Sequence, residues 1–181
     1  MKHTIIILLA WFSINQAGGD LYACKNASIS IYSKAPIEDI EAKSTGGTSV
    51  LNAATGDVAF SVPIKSLKFP KSLMQEHFNE NYMESDKYPN AVFKGKIAGP
   101  LDLTKDGTYN VSATGELDVH GVKQTRTIPG TLTVKGGVVS LSTEFMVKCV
   151  DHKITIPTLV FRNIAESIKV QVAATYTQVK K

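Results

Sequence analysis

The side chains of this sequence that could do acid–base or metal chemistry are few and dispersed. His77, His120 and His152 are the histidines beyond the N-terminal segment, and none has the His-x-His or His-Glu-x-x-His spacing that holds a metal ion. A histidine beside a carboxylate could serve as a general acid or base, and Asp118 precedes His120 by two residues, on the same strand face. No serine or cysteine nucleophile stands near this pair in the sequence. One hypothesis is therefore a small hydrolase or isomerase that uses His77 or His120.

The sequence contains two cysteines, Cys24 and Cys149, whose state the spacing leaves open. In an oxidising compartment they could form one disulfide, and in the chain-entropy model the closure of so long a loop stabilises the fold. Residues 21–24 also resemble a bacterial lipoprotein box, in which Cys24 would carry a lipid. Tyr22, however, is bulkier than the small residue expected at its position.

The first residues have the layout of a secretory signal peptide. Lys2 precedes an unbroken apolar run over residues 5–12, which is shorter than the roughly 20 apolar residues of a membrane-spanning helix. We therefore predict export with cleavage after Ala17, with Ala23 as the alternative position. Residues 18–181 then form a single domain, because no linker or low-complexity segment divides them.

Composition and charge fit a globular domain and argue against a nucleic-acid partner. The chain has 181 residues, of which 43% are hydrophobic and 20% charged. Its 20 basic and 16 acidic side chains give a formal net charge of +4, and loss of Lys2 with the signal peptide leaves 19 basic side chains and a charge of +3. This charge is weak and dispersed, unlike the basic patch that binds nucleic acid.

Alternation of apolar and polar residues with a period of two dominates the rest of the chain. The clearest case is Tyr109–Val119, and turn residues at His120-Gly121 and Gly136-Gly137 separate it from two further strands of a meander. The same pattern predicts about eight strands in all. The others lie around Ile29, Ile40–Val50, Val58–Ile64, Phe93–Ile97 and Ile168–Tyr176.

A helical spacing interrupts the strands once, between the third and the fourth. Over residues 70–83, Leu73 and His77 are four residues apart, as on one face of a short helix. A second non-strand stretch, residues 151–166, is too apolar to be a wholly exposed loop. One short helix cannot cover so wide a sheet, so the sheet must close into a barrel or split into a two-sheet sandwich. Long strands and hairpin connections favour the barrel.

Two segments carry a resemblance to a known family. The first is LMQEHFNENYMESDKYPNAVF over residues 73–93, and the second is GELDVHGV over residues 115–122. In this order and spacing they resemble the YceI-like family, across essentially all of residues 18–181. The resemblance implies an all-β fold, an eight-stranded antiparallel lipocalin-like barrel with one short helix between strands 3 and 4. It also implies export to the periplasm and a polyisoprenoid chain in the tunnel of the barrel.

The inward apolar face of such a barrel predicts what the protein binds. We expect it to hold a long apolar ligand, with no catalysis, no cofactor and no metal, and the resemblance implies that this ligand is a polyisoprenoid or an isoprenoid quinone. Small inward residues at Ala113 and Gly115 favour a hollow interior. The side chains predicted to line the tunnel are Phe60, Val62, Ile64, Leu73, Met74, Phe78, Phe93, Leu117, Val119, Phe145 and Val147.

This interpretation makes the protein a carrier or a scavenger of lipid. Its partner would be the apolar lipid itself, with an encounter with a membrane surface and with either a monomer or a homodimer as the active form. Beside the hydrolase hypothesis, one further alternative stays open. A barrel filled by its own side chains would act through its surface, as an exported stress-related protein.

Overall fold

Eight antiparallel strands close into a single barrel. The computed structural model describes residues 21–34, 39–99, 101–156 and 165–179. Each strand pairs with the next along the chain, and the last pairs with the first. The strands are β1 Leu21–Ser33, β2 Ile40–Asn52, β3 Asp57–Pro63, β4 Asn90–Ile97, β5 Gly107–Val119, β6 Val122–Lys135, β7 Val138–Lys148 and β8 Ser167–Gln178.

The predicted fold class is confirmed, including the choice of barrel over sandwich. Closure lets every strand bury its apolar face while leaving no sheet edge, which an open sheet of this width could not do. The two predicted turns are two-residue hairpin turns, with φ of 54° and 70° at His120 and Gly121 and of 56° and 79° at Gly136 and Gly137. Positive φ at both central residues matches the right-handed twist of the flanking strands.

The predicted helix also lies between β3 and β4. It comprises α1 Ser72–His77 and a π-helical turn over Phe78–Tyr82, which ends where the Met83 amide donates to the Phe78 carbonyl at 2.9 Å. The rings of Phe78 and Phe69 lie 4.8 Å apart between centroids. Within the described residues, no helix has the length and apolarity to cross a membrane.

The barrel has two different ends. We call the closed end the one that carries the β2–β3, β4–β5 and β6–β7 connections, and the open end the one that carries α1 and the other connections. The closed end is filled by tightly packed side chains, including Leu103 from the β4–β5 connection. Its most deeply buried members are Tyr22, Cys24, Ala27, Leu51, Leu132, Val134, Val139, Ala174 and Tyr176.

Backbone pairing joins β6 and β7 in the closed half of the barrel and ends before the open half. The ladder runs from Lys135 opposite Val138 to Thr131 opposite Ser142. Beyond it, towards the open end, side chains bridge the two strands. Arg126 donates to the Met146 carbonyl at 2.7 Å, and Thr143 donates to the Pro129 carbonyl at 2.6 Å. We call this part of the wall the β6–β7 seam.

The sequence left a disulfide between Cys24 and Cys149 open, and the structure contradicts it: both thiols are free and buried. Cys24 lies in β1 at the closed end, whereas Cys149 follows β7 at the open end. The two are separated by almost the full length of β8, about 30 Å at about 3.3 Å per residue, whereas a disulfide requires Cα atoms within about 7 Å. The predicted signal peptide and the position after Ala17 lie outside the described residues, while Ala23 and Cys24 lie inside β1.

Candidate functional site

The open half of the barrel is hollow. A cavity of about 390 Å³ lies above the packed closed end, and all eight strands contribute to its wall. This volume is in the range of small-molecule sites, about 300–1,000 Å³. In the described part of the chain, no aspartate, glutamate, lysine or arginine side chain lines the cavity. Its wall is therefore suited to a hydrocarbon and not to a charged group.

Ten of the eleven side chains predicted to line the tunnel do lie on the cavity wall, because alternate residues of a strand face the same side. They are Phe60, Val62, Ile64, Met74, Phe78, Phe93, Leu117, Val119, Phe145 and Val147. Leu73 is the exception, since it is 59% exposed and does not reach the cavity. Met74 and Phe78 share one face of the helical turn, and Leu73 points about 100° away from that face.

Sequence reasoning missed part of the wall. On β8, Ile168, Val170 and Val172 line the cavity, and their alternation could have identified them. Ile154 and Ile156, in the apolar stretch after β7, also lie on the wall. No periodicity marks these two, because they belong to an irregular connection that the barrel positions.

Few polar side chains lie on the cavity wall. Those that are buried or half-buried carry no charge at neutral pH, and the others are exposed. Burial raises the pKa of the Cys149 thiol and that of the Tyr82 hydroxyl, so both keep their protons. Ser33 is buried, and its hydroxyl accepts a hydrogen bond from the Ala165 amide at 2.8 Å. His77 is exposed at the edge of the cavity. An amphipathic ligand would thus meet uncharged polar groups at Ser33, Thr143 and Cys149, and the polar groups of His77 and Tyr82 beside α1.

His120 has a positioning role at the open end. Its Nδ1 lies 3.1 Å from the His152 carbonyl, and its Nε2 lies 2.9 Å from a Glu84 carboxylate oxygen. A carbonyl and a carboxylate accept hydrogen bonds and do not donate them. Both contacts are therefore hydrogen bonds at the same time only when each ring nitrogen carries a proton. The Tyr88 ring packs edge-on against the imidazole at 4.6 Å. His120 therefore ties the connection after α1 and the turn after β7 to the β5–β6 turn.

This geometry does not assemble the polar pocket that the hydrolase hypothesis requires. The carboxylate at His120 is Glu84 and not the predicted Asp118, and His120 lies off the cavity wall. His152 is fully buried, with Nδ1 donating to the Val122 carbonyl at 2.9 Å. Over the described ranges, no three His, Cys, Asp or Glu side chains cluster closely enough to hold a metal ion.

Gly115 serves a different purpose from the one its sequence position indicated. It faces Gly95 across the β4–β5 pair, and a Cβ on Gly115 would lie 2.2 Å from the Lys94 carbonyl oxygen and 2.3 Å from the Gly95 Cα. Gly115 is not part of the cavity wall, whereas Ala113 is. The glycine thus permits close approach of two backbones instead of creating spare volume.

Solved structures of known proteins share this fold at low sequence identity. A polyisoprenoid binding domain from Saccharophagus degradans matches with a TM-score of 0.71 and 16% identity, over 87% of this chain and 98% of that one. BcnA from Burkholderia cenocepacia matches with 0.71 and 16%, over 83% and 96%. The YCEI protein of Campylobacter jejuni matches with 0.56 and 15%, over the full length of both chains.

Sequence comparison places the chain in a family directly. No curated protein matches it. The model of the YceI-like domain, however, matches residues 25–176, which spans the barrel from β1 to β8. The two segments that carry the motifs of this family meet at the open end, where Tyr88 packs against His120. The chain therefore belongs to the YceI-like domain family.

Proposed function

We propose that this protein binds one long apolar molecule, a polyisoprenoid or an isoprenoid quinone, in the hollow half of its barrel. It carries or scavenges this molecule and catalyses no reaction. The observation that carries the proposal is the uncharged, apolar cavity inside a closed barrel. Each methylene group that leaves water for such a site contributes roughly 0.8 kcal/mol. The Saccharophagus degradans relative, described as a polyisoprenoid binding domain, supports the choice of ligand class.

The direct test is to identify what the protein carries when it is purified. Native protein is extracted into organic solvent, and the extract is analysed by mass spectrometry. We expect one isoprenoid species in near-stoichiometric amount, because the apolar side chains that line the cavity are costly to expose to water. Lipid-free extracts from several expression hosts would contradict the proposal.

A matched pair of variants shows whether the lipid lies in the cavity. Ala91 is half-buried on the cavity wall, and Ala173 is exposed on the outer face of β8. We expect Ala91→Trp to reduce bound lipid at least tenfold, because the indole occupies the space of the ligand, and Ala173→Trp to leave it unchanged. Equal lipid content in both variants would place the ligand outside the barrel.

The finer parts of the proposal have their own tests. Carrier and scavenger differ in whether loaded protein delivers lipid to acceptor vesicles, which a fluorescent isoprenoid reports. Export is tested by cell fractionation and by the mass of the mature N-terminus, which is predicted to follow Ala17. Light scattering distinguishes a monomer from a homodimer.

A further inference from the structure

We propose that the packed closed end is a floor that limits the bound chain to about four isoprene units, and that Leu132 sets this limit. This inference rests on the proposed function and adds to it the length of the ligand. It follows from the division of one barrel into a hollow half and a filled half.

The depth of the cavity follows from the strands that line it. On β5 the lining residues run from Val111 to Val119, and along β7 and the residue that follows it they run from Leu141 to Cys149. Eight steps of about 3.3 Å measure about 26 Å along either strand, or about 20 Å along the barrel axis at a strand tilt of about 40°. An extended isoprene unit adds four carbon–carbon bonds of about 1.5 Å to the chain, and the bond angles shorten their advance along the axis to about 5 Å. The cavity therefore accepts about four units in line.

The floor borders the deepest lining positions, which include Gly130 of β6 and Leu141 of β7. On β6 the residue below Gly130 is Leu132, which lies opposite Tyr109 of β5 and Leu141 of β7. Leu132 is 0% exposed, and it belongs to the closed-end core and not to the cavity wall. Its side chain therefore stands directly between the cavity and the core.

The side chains beneath Leu132 cannot easily move aside for a longer ligand. The hydroxyls of Ser49 and Tyr176 lie 2.8 Å apart in the buried core, and Ser49 donates to the Ala59 carbonyl at 2.9 Å. A hydrocarbon forced between these strands would leave buried polar groups unpaired. Additional isoprene units must therefore remain at the open end, where they gain little.

The test is a competition between linear prenols of different length. Delipidated full-length mature protein is mixed with equimolar prenols of two, three, four, six and eight isoprene units, and the retained species are quantified by mass spectrometry. We expect retention to rise about tenfold or more per unit up to four units, because each unit buries further methylene groups, and then to stop rising.

Two substitutions should move the preferred length in opposite directions. Leu132→Ala removes three carbon atoms from the floor, so it should shift the preference towards the next longer prenol. Ala113 lines the cavity opposite Ile128, near the floor, so Ala113→Phe should shorten the preferred prenol by at least one unit. Leu103→Ala is the matched control, because it removes the same atoms from the packed closed end, off the cavity wall, and should leave the preferred length unchanged.

The outcomes separate this inference from the proposed function. Retention that keeps rising to eight units, or an unchanged preference in a folded Leu132→Ala or Ala113→Phe protein, overturns the floor but not lipid binding. Retention of no prenol at any length overturns both. Should Leu132→Ala fail to fold by circular dichroism, Ala113→Phe, which fills a hollow space, decides the question.

Discussion

Tyr176 carries a hydroxyl group into the closed-end core, where it is 3% exposed. Its partner is the Ser49 hydroxyl. Ser49 lies on β2 and Tyr176 on β8, the two strands that flank β1. Burial raises the pKa of Tyr176 to about 12, because the phenolate would lose its hydration in the core. A tyrosine in the unfolded chain has a pKa of about 10. Folding and proton binding are therefore linked at this residue.

We predict a loss of stability at high pH that depends on Tyr176. Between pH 10 and 12 the unfolded chain binds fewer protons than the folded chain, so the free energy of unfolding falls as the pH rises. The stabilisation is complete below pH 10, and the loss should reach about 2–3 kcal/mol near pH 12. Urea unfolding at several pH values measures it.

The control for this prediction is Tyr176→Phe. In this variant Ser49 keeps the Ala59 carbonyl as acceptor, and no phenol remains to ionise in the core. Its stability should fall less steeply above pH 10 than that of the wild-type protein. Equal slopes in both proteins would mean that other groups cause the alkaline transition.

His120 shows how a residue with catalytic chemistry can serve structure. Its two ring nitrogens contact Glu84 and the His152 carbonyl, which lie on two different connections of the open end. A general base needs one nitrogen available to a substrate. The contacts of His120 instead hold the mouth of the cavity in place.

At the scale of strands, β4 and β5 approach each other most closely at Gly95 and Gly115. A Cβ at Gly115 would meet backbone atoms of β4, which cannot rotate away as a side chain can. We predict that Gly115→Ala lowers the free energy of unfolding by about 1–3 kcal/mol, because the strands must separate locally. Chemical denaturation followed by circular dichroism measures the change.

The neighbouring exposed residue Thr114 provides the control for Gly115→Ala. Substitution of Thr114 by alanine removes its contact with the Thr127 hydroxyl. Beyond that contact, the free energy of unfolding should change by less than about 0.5 kcal/mol. If Gly115→Ala is as mild as Thr114→Ala, the close approach of the two backbones does not constrain the sequence.

The β6–β7 seam differs from the closed half of the same strand pair, which backbone pairing holds together. Side chains of Arg126 and Thr143 bridge it where the backbone ladder has ended, and Gln124 adds a bond to the Asp151 carbonyl at 2.8 Å. Side-chain bridges break at a lower cost than a continuous ladder. At the seam β6 and β7 are thus held by side-chain bridges, while their closed half is held by backbone pairing.

For the molecule as a whole, the hollow half links ligand binding to stability. A ligand that binds only the folded barrel stabilises it by mass action, by about 2.7 kcal/mol at a free concentration 100 times Kd. For a chain of this size that is a rise in Tm of about 5–10 °C. We therefore predict that delipidated protein melts at a lower temperature than protein purified with its lipid, in differential scanning calorimetry.

Reloading supplies the control for this comparison. Addition of a prenol of four isoprene units to delipidated protein should restore the higher Tm, whereas a short aliphatic alcohol should not. Identical melting temperatures for the delipidated and the native protein would show that nothing of consequence occupies the cavity.

Much of the architecture could be read from local patterns. A period of two marks each long strand, and the turn residues at His120-Gly121 and Gly136-Gly137 fix which strands pair. The spacing of Leu73 and His77, and that of Met74 and Phe78, identifies the helix, but it does not tell which pair faces the cavity. These features depend on residues close in sequence, so the sequence alone determines them.

Other features were decided by tertiary structure, because they depend on residues far apart in the chain. Alternation gives Leu132 and Leu117 the same inward orientation, yet closure of the barrel packs the first into a solid core and leaves the second beside a cavity. The same closure places Cys24 and Cys149 at opposite ends and brings Glu84 to His120. Period two tells which side of a strand is buried, but only the arrangement of all eight strands sets what, if anything, fills the space it faces.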